Sequence, residues 1–252
     1  MEFLGIDIGC SAIKFGRVNL DDEITLTGFD MLALPQPAET HDFTDALLHI
    51  LEITEPSQAV GIGFPSVVWE DGILDLEIKF NDIWTEISGQ MRMRGIPCFA
   101  LNDADAAGVA EVCRPQAEDL RKGVTIVITL GSGIGSGTFL NGNLFPNTEF
   151  GMLEVNGVMA EKMAAASVKR RDSLSNEAWA ARLQDFLSTM EILMSPDHIV
   201  LGGGISADFD EYKDFLKLKR TKILPAYYRN QAGVIGAAMY AAQKVELLQL
   251  RT

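Results

Sequence analysis

Residues 123–137 read GVTIVITLGSGIGSG. The stretch Gly123–Leu130 is dominated by valine, isoleucine, threonine and leucine, and a run of that kind predicts a buried strand. The turn that follows, Gly131–Gly137, holds four glycines and two serines. Such a turn can aim several backbone N–H groups at an anion. Thr138–Leu140 continues as a strand, and Asn141-Gly142 is a hairpin signal. The chain opens in a similar way. A strand at Phe3–Ile8 runs into a short turn, Gly9–Ser11, then into apolar stretches at Ala12–Val18 and Ile24–Leu34, with the turn-like residues 19–23 between them. Two such openings in one chain predict two β-meanders.

Outward from these starts, helical and strand periods alternate. Helices are predicted over Asp42–Ile53, Asn81–Arg94, Asp103–Cys113 and Asn176–Met194, the last with Trp179, Leu183, Phe186, Leu187, Met190 and Leu193 on one face. Asp103 is read as the N-cap of its helix. Strands are predicted at Ala59–Val68, broken by Gly61, Gly63 and Pro65, and at Pro97–Leu101, His198–Leu201 and Ile223–Pro225. A helix near Phe209–Leu216 and a final one over Gly233–Leu250 complete the chain. The order β-β-β-α-β-α thus occurs twice, with extra helices in the second copy. This pattern predicts an α/β architecture of two lobes, and a cleft between lobes is a common seat for a small ligand.

Composition narrows the partners. The chain has 252 residues, 47% apolar and 22% charged, enough to bury a core. Its 21 basic against 35 acidic residues give a net charge of −14, which argues against nucleic acid and against a basic membrane-surface domain. Cys10, Cys98 and Cys113 form no CxxC pair, and His41, His49 and His198 show no ligand spacing. No apolar run reaches a membrane span, and the start MEFLGIDIG lacks a secretory n-region. The expectation is a cytoplasmic protein.

Several stations can carry chemistry. Asp7 lies between Ile6 and Ile8 in a strand expected to be buried, where a carboxylate needs a partner or a cation. Gly9, Cys10 and Ser11 can present backbone N–H groups, and Lys14 adds positive charge. Asn102 and Asp103 stand at the carboxyl end of a strand, where open α/β sheets place ligands, and a carboxylate there can accept a hydroxyl proton. Gly131, Ser132, Gly133 and Gly135 form the phosphate-cradle candidate, and it is not a P-loop because no GK[ST] follows. Gly202, Gly203 and Gly204 form a third glycine turn. Glu149 and Glu154 can hydrogen-bond sugar hydroxyls. Two basic clusters exist, Lys217, Lys219, Arg220 and Lys222, and Lys169, Arg170 and Arg171 with Lys162 nearby.

Taken together, these stations resemble the sugar kinases of the actin–hexokinase–Hsp70 superfamily, and within it the ROK family, most closely the branch that uses polyphosphate. GIDIGCSAIKFG resembles its phosphate-1 motif, LNDADAAGVAE its catalytic segment, and TLGSGIGSGTFLNGNLFPNTEFGMLE its phosphate-2 segment with the sugar loop. SNEAWAARLQDFL, SPDHIVLGGGIS and ILPAYYRNQAGVIGAAM extend the match along nearly the whole chain. The resemblance implies a two-lobed actin/hexokinase/Hsp70-like (ribonuclease H-like) fold with an inter-lobe cleft. It places residues 1–102 and 235–252 in an N-terminal lobe and 103–234 in a C-terminal lobe. It implies phosphoryl transfer from polyphosphate, or also ATP, to the 6-hydroxyl of glucose or a related hexose.

The resemblance also implies roles. Asp103 would be the general base, and Asn102, Glu149 and Glu154 would bind the sugar. Asp7 would sit at Mg²⁺. Gly9, Cys10, Ser11, Lys14, Gly131, Ser132, Gly133, Gly135, Gly203 and Gly204 would hold phosphate groups. A homodimer is implied as well. Three positions depart from the family pattern. Cys10 replaces the second glycine of the first motif, Met152 replaces the histidine of the sugar loop, and the zinc-binding cysteine cluster of many members is absent. Two alternatives stay open: an ATP-dependent hexose or amino-sugar kinase of the same family, and a sugar-binding homologue without turnover.

Overall fold

The computed structural model describes residues 1–21, 23–54, 58–70 and 72–250. The chain divides into two compact units, Met1–Ala110 with Gln231–Thr252, and Glu111–Asn230. The first junction falls at 110/111, against 102/103 in the sequence-based division, and the second at 230/231, against 234/235.

In the first unit, β1 (Glu2–Ile8), β2 (Ala12–Asn19) and β3 (Thr25–Ala33) form a meander. Then come α1 (Thr40–Thr54), β4 (Val60–Phe64), a ribbon of β5 (Val68–Trp69) and β6 (Gly72–Ile73), α2 (Phe80–Met93), β7 (Cys98–Asn102) and α3 (Asp103–Cys113), within which the division at 110/111 falls. The sheet order is β3-β2-β1-β4-β7, with β1, β4 and β7 parallel. In the second unit, β8 (Val124–Leu130), β9 (Ile134–Leu140) and β10 (Asn143–Phe145) form the second meander. They are followed by a ribbon of β11 (Glu154–Val155) and β12 (Val158–Met159), α4 (Ala160–Ala164), α5 (Ala166–Arg171), α6 (Asn176–Met194), β13 (His198–Gly202), α7 (Phe209–Tyr212) and β14 (Lys222–Pro225). Its sheet order is β10-β9-β8-β13-β14. Each unit therefore places its three antiparallel strands and two parallel additions in the same order. The last helix, α8 (Ala232–Gln249), belongs to the first unit.

Strand alternation decides the packing in the first unit. Leu4, Ile6 and Ile8 of β1 and Val60, Ile62 and Phe64 of β4 join Phe43, Leu47, Ile50, Ile83 and Ile87 of α1 and α2 in one core. The alternate positions are small, and helices approach them to backbone contact. A Cβ on Gly5 would sit 1.9 Å from the Val234 carbonyl oxygen, one on Gly61 1.9 Å from that of Ala237, and one on Gly236 1.6 Å from that of Ala106. Only glycine fits these three crossings.

In the second unit, Ile126, Ile128, Leu130, Ile199 and Leu201 pack on Trp179, Leu183, Phe186, Leu187 and Met190 of α6. Leu193, expected on that face, is 59% exposed, and Met194 packs against the core in its place. The helix expected near 209–216 is broken into α7 and short 3-10 turns, and only Tyr212 of that stretch is fully buried. Glu111, itself buried, accepts the backbone N–H groups of Tyr227 and Tyr228 at 2.8 Å each. Burial holds its carboxyl above the ordinary range, with those two hydrogen bonds and the Arg114 charge opposing. Among the described residues, no helix is long and apolar enough to cross a membrane.

Candidate functional site

The first unit gathers one group of predicted residues at the carboxyl edge of its parallel strands. Asp7 of β1 pairs in register with Gly63 of β4, which pairs with Leu101 of β7. Asp7 lies on the same face of the sheet as Gly5, Gly61 and Gly63. A Cβ on Gly63 would reach to 3.3 Å from the Asp103 Cα, so the glycine lets the start of α3 settle on the sheet. The structure thus brings Asp7, Asn102 and Asp103 to one edge.

Asp7 is 13% exposed in its side chain, and its Oδ2 accepts from Lys14 Nζ at 3.0 Å across the β1–β2 hairpin. The first turn of α8 lies directly against it, since a Cβ on Gly233 would come within 2.5 Å of the Asp7 Cγ. Gly233 is therefore required if Asp7 is to hold this position. The positive end of the α8 dipole adds favourable potential for a carboxylate there.

The N-cap of α3 is Asn102, and this corrects the reading of Asp103 as the cap. Asn102 Oδ1 accepts from the N–H groups of Ala104 at 2.9 Å and Asp105 at 3.1 Å, while its Nδ2 donates to the Ser66 carbonyl at 3.2 Å. Asn102 is 4% exposed. Asp103 occupies the first helical position, half-buried, with Oδ1 accepting from the Ala104 N–H at 2.7 Å. The Ala104 N–H is thus shared by Asn102 and Asp103, while the Asp105 N–H goes to Asn102.

The Gly9–Ala12 turn is closed by the Gly9 N–H donating to the Ala12 carbonyl at 3.0 Å. Cys10 is exposed, and its backbone is outside the left-handed region. The residue that replaces the family's glycine therefore meets no backbone strain in this turn.

The second unit holds the other group. The phosphate-2 turn is shorter than the sequence suggests: Gly131, Ser132 and Gly133 form it, and Gly135 lies in β9 opposite Thr129. The Gly131 N–H donates to the Gly133 carbonyl at 3.0 Å. Gly202 pairs with Thr129 across parallel β13 and β8, so the turn after β13 opens beside the turn after β8. Gly203 has φ +81°, and a Cβ there would come within 2.3 Å of the Leu130 carbonyl oxygen. Both its angle and its closeness demand glycine. Gly204 follows as the start of a short 3-10 turn.

The sugar-loop candidates sit in the same unit. The loop at 147–152 is fastened to β9 by a cluster that the sequence does not reveal. Thr148 Oγ1 donates to the Ser136 carbonyl at 3.0 Å, and the Phe150 N–H donates to Ser136 Oγ at 3.0 Å. A Cβ on Gly151 would meet the Ile134 carbonyl oxygen at 2.1 Å, so this glycine seats the loop on the strand. Met152 is 58% exposed.

Glu149 is exposed as a residue, yet protein packed around its carboxyl desolvates it. That desolvation, together with the charge of Glu161, holds the group above its ordinary range. Glu161 is the residue that the sequence reading missed. It lies in the first turn of α4, pairs with Lys162 at 3.1 Å, and its Oε2 would lie 2.6 Å from a Cβ on Gly133. Glu154, chosen instead, is an exposed residue of β11. The signal for Glu161 is tertiary, because nothing in its local sequence places it beside the phosphate-2 turn.

The model of the ROK family matches residues 3–153 of this chain. The polyphosphate glucokinase of Mycobacterium leprae (strain TN) is 37% identical over 247 residues, covering 96% of this chain and 75% of that protein. The polyphosphate glucokinase of Mycobacterium tuberculosis (strain CDC 1551 / Oshkosh) is 36% identical over 239 residues, covering 93% of this chain and 89% of that protein. Among solved structures, the inorganic polyphosphate/ATP-glucomannokinase of Arthrobacter sp. strain KM superposes with a TM-score of 0.86 at 36% identity, covering 96% of this chain and 99% of that one. A ROK family glucokinase from Streptomyces griseus, solved with glucose and AMPPNP, gives a TM-score of 0.79 at 20% identity, covering 96% of this chain and all of that one, a likeness of fold.

Proposed function

The chain belongs to the ROK family, and from that premise we propose that it transfers a phosphoryl group from inorganic polyphosphate to the 6-hydroxyl of glucose. The observation that carries this reading is the meeting of Asp7, Asn102 and Asp103 at one sheet edge, with Asn102 as the cap of the helix that Asp103 opens. The polyphosphate glucokinases at 36–37% identity support the choice of donor and acceptor.

In this reading Asp103 accepts the proton of the attacking hydroxyl. Its place in the first turn of α3 holds the carboxylate at a fixed height above the sheet. Asn102 fixes the start of that helix at the edge where the sugar would bind. Glu149 accepts from a second hydroxyl, and Glu161 stands beside it as a further acceptor. Glu154 keeps a place as a third carboxylate on the β11–β12 ribbon. The N–H groups of Cys10 and Ser11 and of Ser132 and Gly133 hold the phosphates, Gly9, Gly131 and Gly135 keep the two turns free of side chains, and Lys14 neutralises charge.

Mg²⁺ suits the donor set. Among the described residues no cluster of three or more His, Cys, Asp or Glu is poised for a metal, and Mg²⁺ in phosphoryl transfer needs only one or two carboxylates plus substrate phosphates. Asp7 would hold it, and the ion would neutralise charge on the transferred group. ATP is a second donor in this reading. The Gly203–Gly204 turn favours it, since a side-chain-free surface beside the phosphate-2 turn admits a flat ring. A cytoplasmic homodimer completes the reading, and light scattering tests the dimer.

The deciding experiment measures glucose 6-phosphate formed by the purified protein with Mg²⁺ and either polyphosphate or ATP. Turnover with polyphosphate exceeding that with ATP is expected. Turnover with ATP alone would move the protein to the ordinary sugar-kinase branch. Sugar binding without turnover on either donor would make it a binding homologue.

A further inference from the structure

Two basic clusters stand out in the sequence, and the topology of the second unit separates them. Lys217, Lys219, Arg220 and Lys222 lie at the entry to β14, where Lys222 pairs in register with His198, the first residue of β13. That is the amino-terminal end of the parallel strands. The glycine turns follow Leu130 and Gly202, at the carboxyl ends. A strand of five residues puts roughly 13–17 Å between the two ends. The cluster is also engaged where it stands. The backbone N–H groups of Lys219 and Arg220 donate to the Glu191 carboxylate, and Arg220 pairs with Asp197 at 2.7 Å.

The cluster on α4 and α5 begins at the phosphate-2 turn itself. The Ser167 N–H donates to the Gly131 carbonyl at 3.0 Å, and Ser167 Oγ donates to the Ser132 carbonyl at 2.6 Å. Lys162 follows Glu161, whose carboxylate lies against Gly133. Between 161 and 172, four cations (Lys162, Lys169, Arg170, Arg171) stand against two carboxylates (Glu161, Asp172). Lys169 is held by Asn176 and over the Trp179 ring, and Arg171 pairs with Asp172 at 2.8 Å. Arg170 is exposed, and no ion pair is formed by it among the described residues. Along α5, Arg170 rises about 5 Å beyond Ser167. Arg170 and Arg171, one turn on from Ser167, therefore carry positive charge along α5 from the turn that would hold the reacting phosphates, with Lys162 on neighbouring α4.

We propose that the surface formed by Lys162, Lys169, Arg170 and Arg171 seats the distal phosphates of a linear polyphosphate chain whose end is held at the Gly131–Gly133 turn. The inference rests on the proposed polyphosphate reading. On a protein of net charge −14, a polyanion is retained only by cations within about a Debye length, roughly 8 Å at physiological salt. The donor's first phosphates belong to the turn. The later ones meet α5, so donor affinity should rise with chain length.

The test measures KM for tripolyphosphate and for long-chain polyphosphate with glucose and Mg²⁺. The proteins compared are the wild type, the variant Lys162→Gln/Arg170→Gln, the exposed single change Arg170→Gln, and the control Lys217→Gln/Lys219→Gln. The expected result is that the wild type prefers the long chain. The double variant should lose that preference by about tenfold. Its dependence of log KM on log salt should flatten by roughly 0.7 per cation removed. Arg170→Gln should move the same way by a smaller factor, and the control should keep the wild-type preference. Chain-length preference and salt slope unchanged in both α5 variants would overturn the inference, as would a loss confined to the control. A wild type that turns over with ATP but with no polyphosphate of any length would instead overturn the donor reading on which the inference stands.

Discussion

Lys14 Nζ lies 3.0 Å from Asp7 Oδ2, and the two residues are direct partners across the first hairpin. The pair belongs to the turn that carries Gly9, Cys10 and Ser11, so the two charges move with the phosphate-1 backbone. The carboxylate is also pressed by the first turn of α8 at Gly233. Removing the ammonium leaves a largely buried carboxylate with less compensation and removes a charge from the proposed phosphate seat.

Lys14→Met is expected to lower kcat/KM for the phosphoryl donor by roughly 10–100-fold, the scale of one or two charge-assisted contacts. Its KM for glucose should change far less. Equal losses for donor and sugar would show that Lys14 supports the whole edge of the sheet and not the phosphate.

Asn102 and Asp103 are neighbours with separable duties. Asp103→Asn keeps the Asn102 cap, so its melting temperature should stay within a degree or two of wild type. Its turnover should fall by about 10²–10⁴-fold, the range for a general base. Asn102→Ala removes the cap and the tie to Ser66, at a cost of about 1–2 kcal/mol in stability. Calorimetry and turnover on the two proteins check the division. Near-normal turnover in Asp103→Asn would remove it from the role of base.

The Glu149 carboxyl is held up by desolvation first and by the charge of Glu161 second. A raised value means that the group takes up its proton at a higher pH than a free glutamate. Glucose KM should therefore worsen on acidification sooner than an ordinary glutamate would allow. In Glu161→Gln one of the two raising influences is gone, and the acid limb of the KM profile should move to lower pH. A limb that stays in place would show that Glu161 does not act on Glu149.

Glu191 accepts the backbone N–H groups of Thr221 at 2.8 Å, Arg220 at 2.8 Å and Lys219 at 3.0 Å, which hold its carboxyl down at about 2. The folded value lies below the unfolded one, so the stabilisation is fully present above the ordinary glutamate range. It is lost as pH falls from about 4.5 toward 2. Glu191→Gln should lower the melting temperature at pH 7, and the gap from wild type should close across that acid window. Because the carboxylate meets solvent, the effect should be modest, on the order of 1 kcal/mol.

Much of this arrangement is legible in the chain, and the illegible part has a common cause. The span Asn176–Met194 is readable because Ser175 caps it, accepting from the Ala178 N–H, and because Trp179, Leu183, Phe186 and Met190 keep the helical period. Asp7, Asn102 and Asp103 are readable as strand-end polar residues. The partition of cap and carboxylate between Asn102 and Asp103 is not, since both types cap well and only the backbone path decides. Glu161 was hidden because its neighbour Gly133 is 28 positions away, and Ser136 and Thr148 because their bonds cross between a strand and a loop. Gly63 reads as an ordinary breaker and Gly233 as a helix start. Their purpose depends on which backbone or carboxylate arrives opposite them.

The crossings at Gly5, Gly61 and Gly236 bear on how the protein would answer to wholesale substitution. A library scored by phosphorylation alone would rank these three positions with Asp103 as intolerant, although none of them carries a reactive group. Scoring the same library for abundance would separate them, because a side chain at a crossing pushes α8 off the sheet or off α3, whereas a change at Asp103 leaves the fold in place. Catalytic maps drawn from sensitivity alone would therefore spread along the buried face of α8, away from the sheet edge where the chemistry is proposed.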